Sequence, residues 1–378
     1  MFSLHIDTAR TWRGGQNQVL LTVNGLREIG HRAALVAHPD GELRRRAAEG
    51  LDLIPIGPKS EVDLSAAWKL ARVVKRLEPD VIHAHDPHGI AMASLALSLG
   101  SSSLKVEPAF IASRRVDFHL NKNSFSRWKH RQVDCFVAAS EAIRQMLIAD
   151  GVPPDRTVTV HEGIDLDHVL AAPVVNVHEA FWLPHGSPVV GNVAALVPHK
   201  GQRHLIEAAH LVVQQVPDAR FVILGEGELR DHLERQIREY HLEKHVLLPG
   251  FRTDVLGCIK GFDIFVMSSV TEGLGTSLLD AMACARPLVA TSAGGIPEVV
   301  EDGVNGLLVA PRDHHAMAQA IVRLLSDSGL RQHMGAAGFA RLRDRFTVEK
   351  MVAETAALYE RVAGKSHAAD TGRPSAGD

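Results

Sequence analysis

The sequence predicts an α/β protein made of two doubly wound, Rossmann-like domains. Short apolar strands alternate with amphipathic helices along nearly the whole chain, which is typical of parallel sheets covered on both faces. The alternation falls into two series, separated by a segment at 163–187 that contains proline and glycine. The length of 378 residues also suits two domains, at roughly 100–200 residues each.

The first series contains seven predicted strands. After the first strand a helix buries Val19, Val23 and Leu26 on one face and ends at Gly30. Pro79 ends a second helix at 63–77, and Ser140 is the expected N-cap of a helix that reaches residue 150. The predicted strands are 2–7, 32–37, 51–56, 80–83, 109–113, 133–139 and 157–160.

The second series contains six predicted strands with helices between them, followed by two helical stretches at about 328–345 and 347–362. Residues beyond Gly364 are small and polar, which favours disorder. The predicted strands are 189–194, 220–224, 246–248, 263–267, 287–290 and 306–309.

Composition excludes several classes of protein. The net charge of −3, from 41 basic and 44 acidic residues, argues against a nucleic-acid partner. Cys135, Cys258 and Cys284 lie far apart without metal-ligand spacing and read as buried, reduced thiols. The N-terminus has no secretory pattern, and no apolar run approaches the roughly 18–20 residues of a membrane span. We therefore expect a cytoplasmic protein, or one peripheral on the inner face of the cytoplasmic membrane.

The segment 268–291 carries the strongest chemical signal. A loop ends at Gly275 and a helix begins near Thr276, so free amides and the positive end of the helix dipole predict an anion site. Glu272 precedes this site, and Asp280 is the one acid in a helix that is apolar nearly all round. An unpartnered carboxylate there is costly, and Arg286 is too far along the helix to be its partner. Amides flanked by two carboxylates suit a nucleotide-diphosphate sugar.

Glu272 and Asp280, with seven residues between them, resemble the signature of the family 4 retaining glycosyltransferases, of the bacterial cell-envelope and lipopolysaccharide type. The resemblance implies the GT-B fold, with two Rossmann-like domains facing a central cleft. It implies an acceptor-side domain at 1–168, a nucleotide-sugar domain at 169–345 and a helix at 346–362 returning to the first domain. The composition of the last residues adds a disordered tail at 363–378. Many relatives have Glu where this chain has Asp280.

The resemblance also assigns residues. It implies catalytic roles for Glu272, Lys200 and His85. Lys200 lies in a loop whose diphosphate-gripping Arg is replaced here by Ala195, and Arg203 is a weak substitute. The implied donor-binding residues are Gly14, Gly15, Phe251, Arg252, Gly273, Leu274, Gly275, Thr276 and Asp280.

His83 ends a predicted strand, and His85 lies just beyond it. We expect their side chains to point to opposite faces, which argues against a metal site at this His-x-His pair. The loop after the first strand is expected to hold Gly14 and Gly15 against the donor phosphates.

A basic and aromatic segment at 114–131 favours an anionic acceptor or an acidic lipid surface. Arg114 and Arg115 are the candidate acceptor-binding residues. A solvated helix–loop face remains an equal alternative.

The expected activity is transfer of a hexose from a UDP- or GDP-sugar to a hydroxyl of a glycan or lipid-linked acceptor, with retention of configuration and with no metal or other cofactor. Two alternatives remain open: a nucleotide-sugar 2-epimerase and a non-catalytic nucleotide-sugar-binding subunit. The sequence leaves open the sugar, the base, the acceptor, the oligomeric state, and whether Ala195 and Asp280 lower activity.

Overall fold

The computed structural model describes residues 1–47, 50–100 and 106–370. It divides into two compact units. Unit 1 comprises Met1–Gly163 together with the C-terminal segment from Val348, and unit 2 comprises Ile164–Thr347.

The described part of unit 1 forms a seven-stranded parallel sheet in the order β3-β2-β1-β4-β5-β6-β7. The order reverses between β1 and β4, and such a switch point is where ligands bind in open α/β sheets. Its strands are β1 (Phe2–Asp7), β2 (Arg32–Ala37), β3 (Asp52–Pro55), β4 (Val81–Ala84), β5 (Ala109–Arg114), β6 (Cys135–Ala138) and β7 (Thr157–Thr159). Its helices before residue 163 are α1 (Gly14–Glu28), α2 (Glu42–Arg46), α3 (Leu64–Leu77), α4 (Pro87–Gly100), α5 (Ser124–Arg131) and α6 (Glu141–Ala149).

Unit 2, residues 164–347, is described throughout and forms a six-stranded parallel sheet in the order β10-β9-β8-β11-β12-β13. Its switch point lies between β8 and β11. Its strands are β8 (Val189–Val193), β9 (Arg220–Leu224), β10 (Val246–Gly250), β11 (Ile264–Met267), β12 (Leu288–Thr291) and β13 (Gly306–Val309). Its helices are α7 (Leu166–Ala171), α8 (Val177–Ala180), α9 (Gln202–Gln215), α10 (Arg230–Glu239), α11 (Val255–Lys260), α12 (Thr276–Ala283), α13 (Ile296–Val299), α14 (His314–Ser326) and α15 (Ser328–Arg345).

The last helix, α16 (Val348–Asp370), returns to unit 1 and packs on α1, as expected. Gly25 of α1 allows close approach, since a Cβ there would lie 2.4 Å from Val352. The side chain of Tyr359 is fully buried in this interface. The helix is longer than predicted, so the disordered tail expected from residue 363 is wrong over 363–370. Residues 371–378 lie outside the described chain.

Within the described residues, no helix combines the length and the apolar character needed to cross a bilayer.

Candidate functional site

Lys200 and Glu272 meet in unit 2, although 72 residues separate them. Lys200 ends a short helical turn, Pro198–Lys200, that follows β8, and Glu272 lies in the loop that follows β11. The Lys200 Nζ lies 2.6 Å from the Glu272 Oε2, and the Ser269 hydroxyl donates to the same oxygen at 2.9 Å. Their side chains are 21% and 11% exposed. The structure thus brings together two of the residues predicted to act on the donor.

Glycines hold the two loops in place. Gly201 has a φ of +65°, and a Cβ there would lie 2.2 Å from the Ser268 carbonyl oxygen. The Ser268 hydroxyl in turn donates to the Lys200 carbonyl at 3.0 Å. On the other side, a Cβ on Gly294 would lie 1.8 Å from the Glu272 carbonyl oxygen. Only a glycine fits at either contact, so the backbone itself fixes the positions of Lys200 and Glu272.

The start of helix α12 is open to an anion. Its N-cap, Gly275, is in the left-handed conformation with a φ of +94°, and no side chain caps the helix. The amides near Thr276 are therefore available to a ligand at the positive end of the helix dipole. Gly273 and Leu274, predicted to lie beside the donor, are buried in the preceding loop.

The carboxylate of Asp280 has no hydrogen bond or ion pair with any residue that the structure describes. Burial raises its pKa to about 7. Arg286 points elsewhere, donating to the carbonyl oxygens of Cys284 and Phe262 at 2.9 Å. The predicted lack of a local partner for Asp280 is confirmed, so a ligand hydroxyl would complete its hydrogen bonding.

The loop after β10 offers backbone and an exposed ring. Phe251 is 62% exposed. The guanidinium of Arg252 donates twice to Asp254, at 2.8 and 2.6 Å, and lies 5.6 Å from the centre of the Phe181 ring. Because the Arg252 side chain is engaged in this way, the backbone of the loop and the Phe251 ring are what remain for a nucleobase.

Ala195 contributes only backbone, its carbonyl accepting a hydrogen bond from Gln202 at 2.9 Å. Arg203, the possible substitute for the missing arginine, is exposed and lies 3.5 Å from Glu207. Of the two candidate cations, Lys200 is the one adjacent to Glu272.

The sequence predicted that Gly14 and Gly15 lie in the loop after β1. In the structure they are instead the first two residues of α1. The helix starts early because the Gln16 side chain accepts a hydrogen bond from the backbone amide of Arg13 at 3.2 Å, which satisfies a helix-end donor. A Cβ on Gly15 would lie 3.8 Å from the Arg115 side chain.

The rings of His83 and His85 are close together, so the expectation that they diverge is wrong. Residues two apart in a strand point to the same face. Their ring centres are 4.1 Å apart. His5 pairs with His83 across the β1–β4 switch point, and its ring stacks on that of His85 at 5.3 Å. Burial lowers the pKa of His5 to about 3 and the pKa values of the other two well below the usual range, with nearby Arg115 and the neighbouring histidines adding to the effect.

Hydrogen bonds set the tautomers of this cluster. Arg115 Nη1 can only donate, and it lies 3.1 Å from the His85 Nδ1. Neutral His85 therefore carries its proton on Nε2, which donates to the His5 Nδ1 at 3.0 Å. His5 in turn donates from Nε2 to the Ser3 hydroxyl at 3.0 Å. These three hydrogen bonds therefore all donate in the same direction, from Arg115 through His85 and His5 to Ser3.

The three histidines could converge on a cation, since one ring nitrogen from each lies within 4.8 Å of the others. Each of their six ring nitrogens already has a hydrogen-bond partner. Those of His83 are the Tyr359 hydroxyl at 2.6 Å and the Ser113 hydroxyl at 2.8 Å. A buried guanidinium also abuts His85. The three histidines therefore form a closed hydrogen-bond network, and a metal ion could bind them only by displacing some of these hydrogen bonds.

Arg114 and Arg115, the candidate acceptor residues, both have internal contacts. Arg115 Nε lies 3.2 Å from Glu162, in a pair whose side chains are 16% and 10% exposed. Arg114 donates to the Phe118 carbonyl, while its Nε is buried with no hydrogen-bond partner among the described residues. Sequence reasoning missed His5, Glu162 and Tyr359, because nothing in the local pattern links residues so far apart.

Two family models match the chain. The model described as "Glycosyltransferase Family 4" matches residues 12–168, and the model described as "Glycosyl transferases group 1" matches residues 176–341. Together the two matches span most of both units.

Relatives and a solved structure agree with these matches. The lipopolysaccharide core biosynthesis glycosyltransferase LpsE of Rhizobium meliloti is 28% identical, covering 89% of this chain and 92% of its own. The N-acetyl-alpha-D-glucosaminyl L-malate synthase of Bacillus anthracis is 26% identical, covering 79% and 78%. The crystal structure of Anabaena Alr3699/HepE in complex with UDP and glucose matches with a TM-score of 0.82 at 21% identity, covering 96% and 100%. The two-unit architecture is the GT-B fold.

Proposed function

Because the chain belongs to the family 4 glycosyltransferases, we propose that it transfers a hexose from a nucleotide-diphosphate sugar to an acceptor hydroxyl with retention of configuration. One observation carries the site assignment. The Lys200–Glu272 pair lies in the same unit as a helix start without a side-chain cap and a carboxylate, Asp280, that lacks a protein partner. These groups match the diphosphate and the hydroxyl pairs of such a donor.

Each group has a role in this proposal. The amides at Gly275 and Thr276 bind the diphosphate, and Asp280 binds the ribose hydroxyls. Glu272 accepts hydrogen bonds from the sugar hydroxyls. The Lys200 ammonium group, which pairs with Glu272 in the structure, also contacts the diphosphate when the donor binds. There it stabilises the negative charge that develops on the diphosphate as its bond to the sugar breaks. The acceptor oxygen attacks on the face from which the diphosphate departs, and the leaving phosphate takes the acceptor proton. No step requires a metal.

The donor proposed is a UDP-sugar, because the Anabaena structure contains UDP and glucose. The acceptor proposed is a glycan or a lipid-linked sugar of the cell envelope, by likeness to the Rhizobium enzyme of lipopolysaccharide core synthesis. The Bacillus relative is named for L-malate, an anionic molecule. An anionic group on the acceptor is therefore also compatible with the proposal.

The contribution of unit 1 is proposed from its contacts. His85 can bind a donor hydroxyl only by releasing His5 or Arg115, since both of its ring nitrogens are engaged. An anionic acceptor could reach Arg115 only by displacing Glu162, so we propose acceptor contact first at Arg114, whose guanidinium is held only by the Phe118 carbonyl among the described residues. Gly14 and Gly15, at the start of α1, are proposed to lie near the donor phosphates.

Two measurements test the proposal. In a thermal-shift screen with UDP, GDP and ADP, UDP is expected to raise the melting temperature most, because a ligand of the folded state stabilises it by mass action. Incubation with a panel of nucleotide sugars and envelope-derived acceptors should then release free nucleoside diphosphate and form a glycoside with the donor's anomeric configuration. An epimerised donor would instead support the epimerase alternative. Binding without any turnover would support the non-catalytic one.

A further inference from the structure

Helix α3 presents to solvent a face that is both basic and apolar. Its buried side, at about 100° per residue, consists of Ala66, Ala67, Leu70 and Val74. The opposite arc holds seven exposed side chains in one continuous stripe about 18 Å long. They are Leu64, Ser65, Trp68, Lys69, Arg72, Lys75 and Arg76.

The charge on this helix is one-sided. Its fourteen residues include four basic side chains and no acidic one, in a protein whose net charge is −3. The two acids just before it have other roles. The side chain of Asp63 accepts the hydrogen bond of the Ala66 amide and caps the helix, and Glu61 pairs with Lys129 of α5. Glu61 is thus neutralised by Lys129, and the charge of Asp63 is offset by nearby Lys59 and by the positive end of the helix that it caps, so the stripe keeps its positive field.

The apolar end of the stripe is exposed. Leu64 and Trp68 are 60% and 55% exposed, and Val62, just before the helix, is 52% exposed. The guanidinium of Arg72 lies 4.9 Å from the centre of the Trp68 ring. This contact places an indole ring beside a cation on the protein surface. Such a pair is typical of side chains that lie at the boundary between lipid headgroups and acyl chains.

We infer that the α3 stripe docks this protein on an anionic lipid bilayer. The helix lies in the plane of the surface, with Leu64 and Trp68 at the acyl boundary and the basic side chains on lipid phosphates. An acidic protein would satisfy the charges, but a bilayer accommodates both the charges and the exposed apolar end. The segment 114–131 is less suited to this role, because Lys129 and Arg115 are paired internally.

The test is sedimentation of the full chain with vesicles of phosphatidylcholine, with and without phosphatidylglycerol. We expect binding only to the anionic vesicles. Reversing two charges in the stripe, Lys69→Glu with Arg72→Glu, should weaken it by about ten-fold or more. The matched control is Arg235→Glu with Arg238→Glu, two exposed residues of α10, which changes net charge equally and should leave binding within about two-fold.

A third variant, Trp68→Ser, tests the apolar contact. It should weaken binding severalfold and reduce quenching of tryptophan fluorescence by brominated lipid. Three outcomes would overturn the inference: equal weakening in both charge-reversed variants, an α3 variant that binds like the parent protein, or no binding to anionic vesicles. The last would point to an acidic protein as the partner. Vesicle binding is measured without donor or acceptor, so it stands or fails separately from glycosyl transfer, and melting temperatures report whether the variants are folded.

Discussion

The polar groups of the histidine cluster in unit 1 already have protein partners, whereas part of the candidate site in unit 2 lacks them in the part of the chain that the structure describes. In unit 1 every ring nitrogen of His5, His83 and His85 has a protein partner, and Arg115 is held by both His85 and Glu162. In unit 2 the start of α12 has no side-chain cap, and Asp280 has no partner among the described residues. A completed network stabilises the fold, whereas polar groups without a protein partner remain available to a ligand. The difference predicts which substitutions change stability and which change activity.

The largest expected effect is on the stability of unit 1. Arg115→Met removes the ion pair with Glu162 and the hydrogen bond to His85 from a largely buried site, so the free energy of unfolding should fall by about 3–5 kcal/mol. Chemical denaturation measures it. Adding Glu162→Gln to the same chain should recover part of the loss. In unit 2, Lys200→Met should cost only about 1 kcal/mol, because Ser269 still donates to Glu272. Equal losses at the two sites would contradict the contrast between the units.

The second prediction concerns activity in unit 2. Glu272→Ala removes the proposed contact with the sugar hydroxyls and the partner of Lys200, so kcat/KM should fall about 100- to 1000-fold with little change in melting temperature. Steady-state assays with a UDP-sugar measure this. Glu301→Ala is the control, because Glu301 forms a comparable but more exposed pair with Arg341 at 3.0 Å. Full transfer by the Glu272→Ala protein would rule out the assigned site.

Backbone placement of Glu272 can be tested through Gly294. The added methyl of Gly294→Ala would meet the Glu272 carbonyl, so the loop must move, and activity should fall about ten-fold or more. Gly303→Ala serves as a control. Gly303 also has a positive φ, +77°, but nothing lies within 4 Å of its Cβ position, so it should lose only about 1 kcal/mol of stability. Similar activities for the two variants would show that this contact does not position Glu272.

The smallest expected effect on function, about ten-fold in UDP binding, is at Asp280. Its pKa of about 7 lies above the ordinary value of 3.8, so the folded state binds the extra proton and stability falls as the pH rises from about 4 to 7. Asp280→Asn should remove this slope and be more stable than the parent protein at pH 8, while binding UDP about ten-fold more weakly. Denaturation at several pH values and UDP titrations measure the two effects. Asp218→Asn, at an exposed site, should change neither. An unchanged slope in Asp280→Asn would mean that another group titrates.

Local patterns in the sequence determined the elements. The period of the apolar residues predicted the strands of both units to within a few residues, and it predicted helices α1, α3, α6 and α15, the last at its observed bounds. Ser140 is the N-cap predicted for α6, since its side chain accepts from the Ile143 amide. The start of α12 and the lack of a partner for Asp280 within its own helix were also predictable, because both depend on residues close in sequence.

Tertiary structure decided the contacts between distant residues. The pairing of Lys200 with Glu272 depends on the adjacency of β8 and β11, and the meeting of His5 with His83 depends on the adjacency of β1 and β4. The partners of Arg115 likewise come from separate strands and loops. Sequence patterns report which face of its own element a residue occupies, but not which element lies opposite. For that reason the open site of unit 2 could be recognised from the sequence, while the closed network of unit 1 became apparent only in the folded chain.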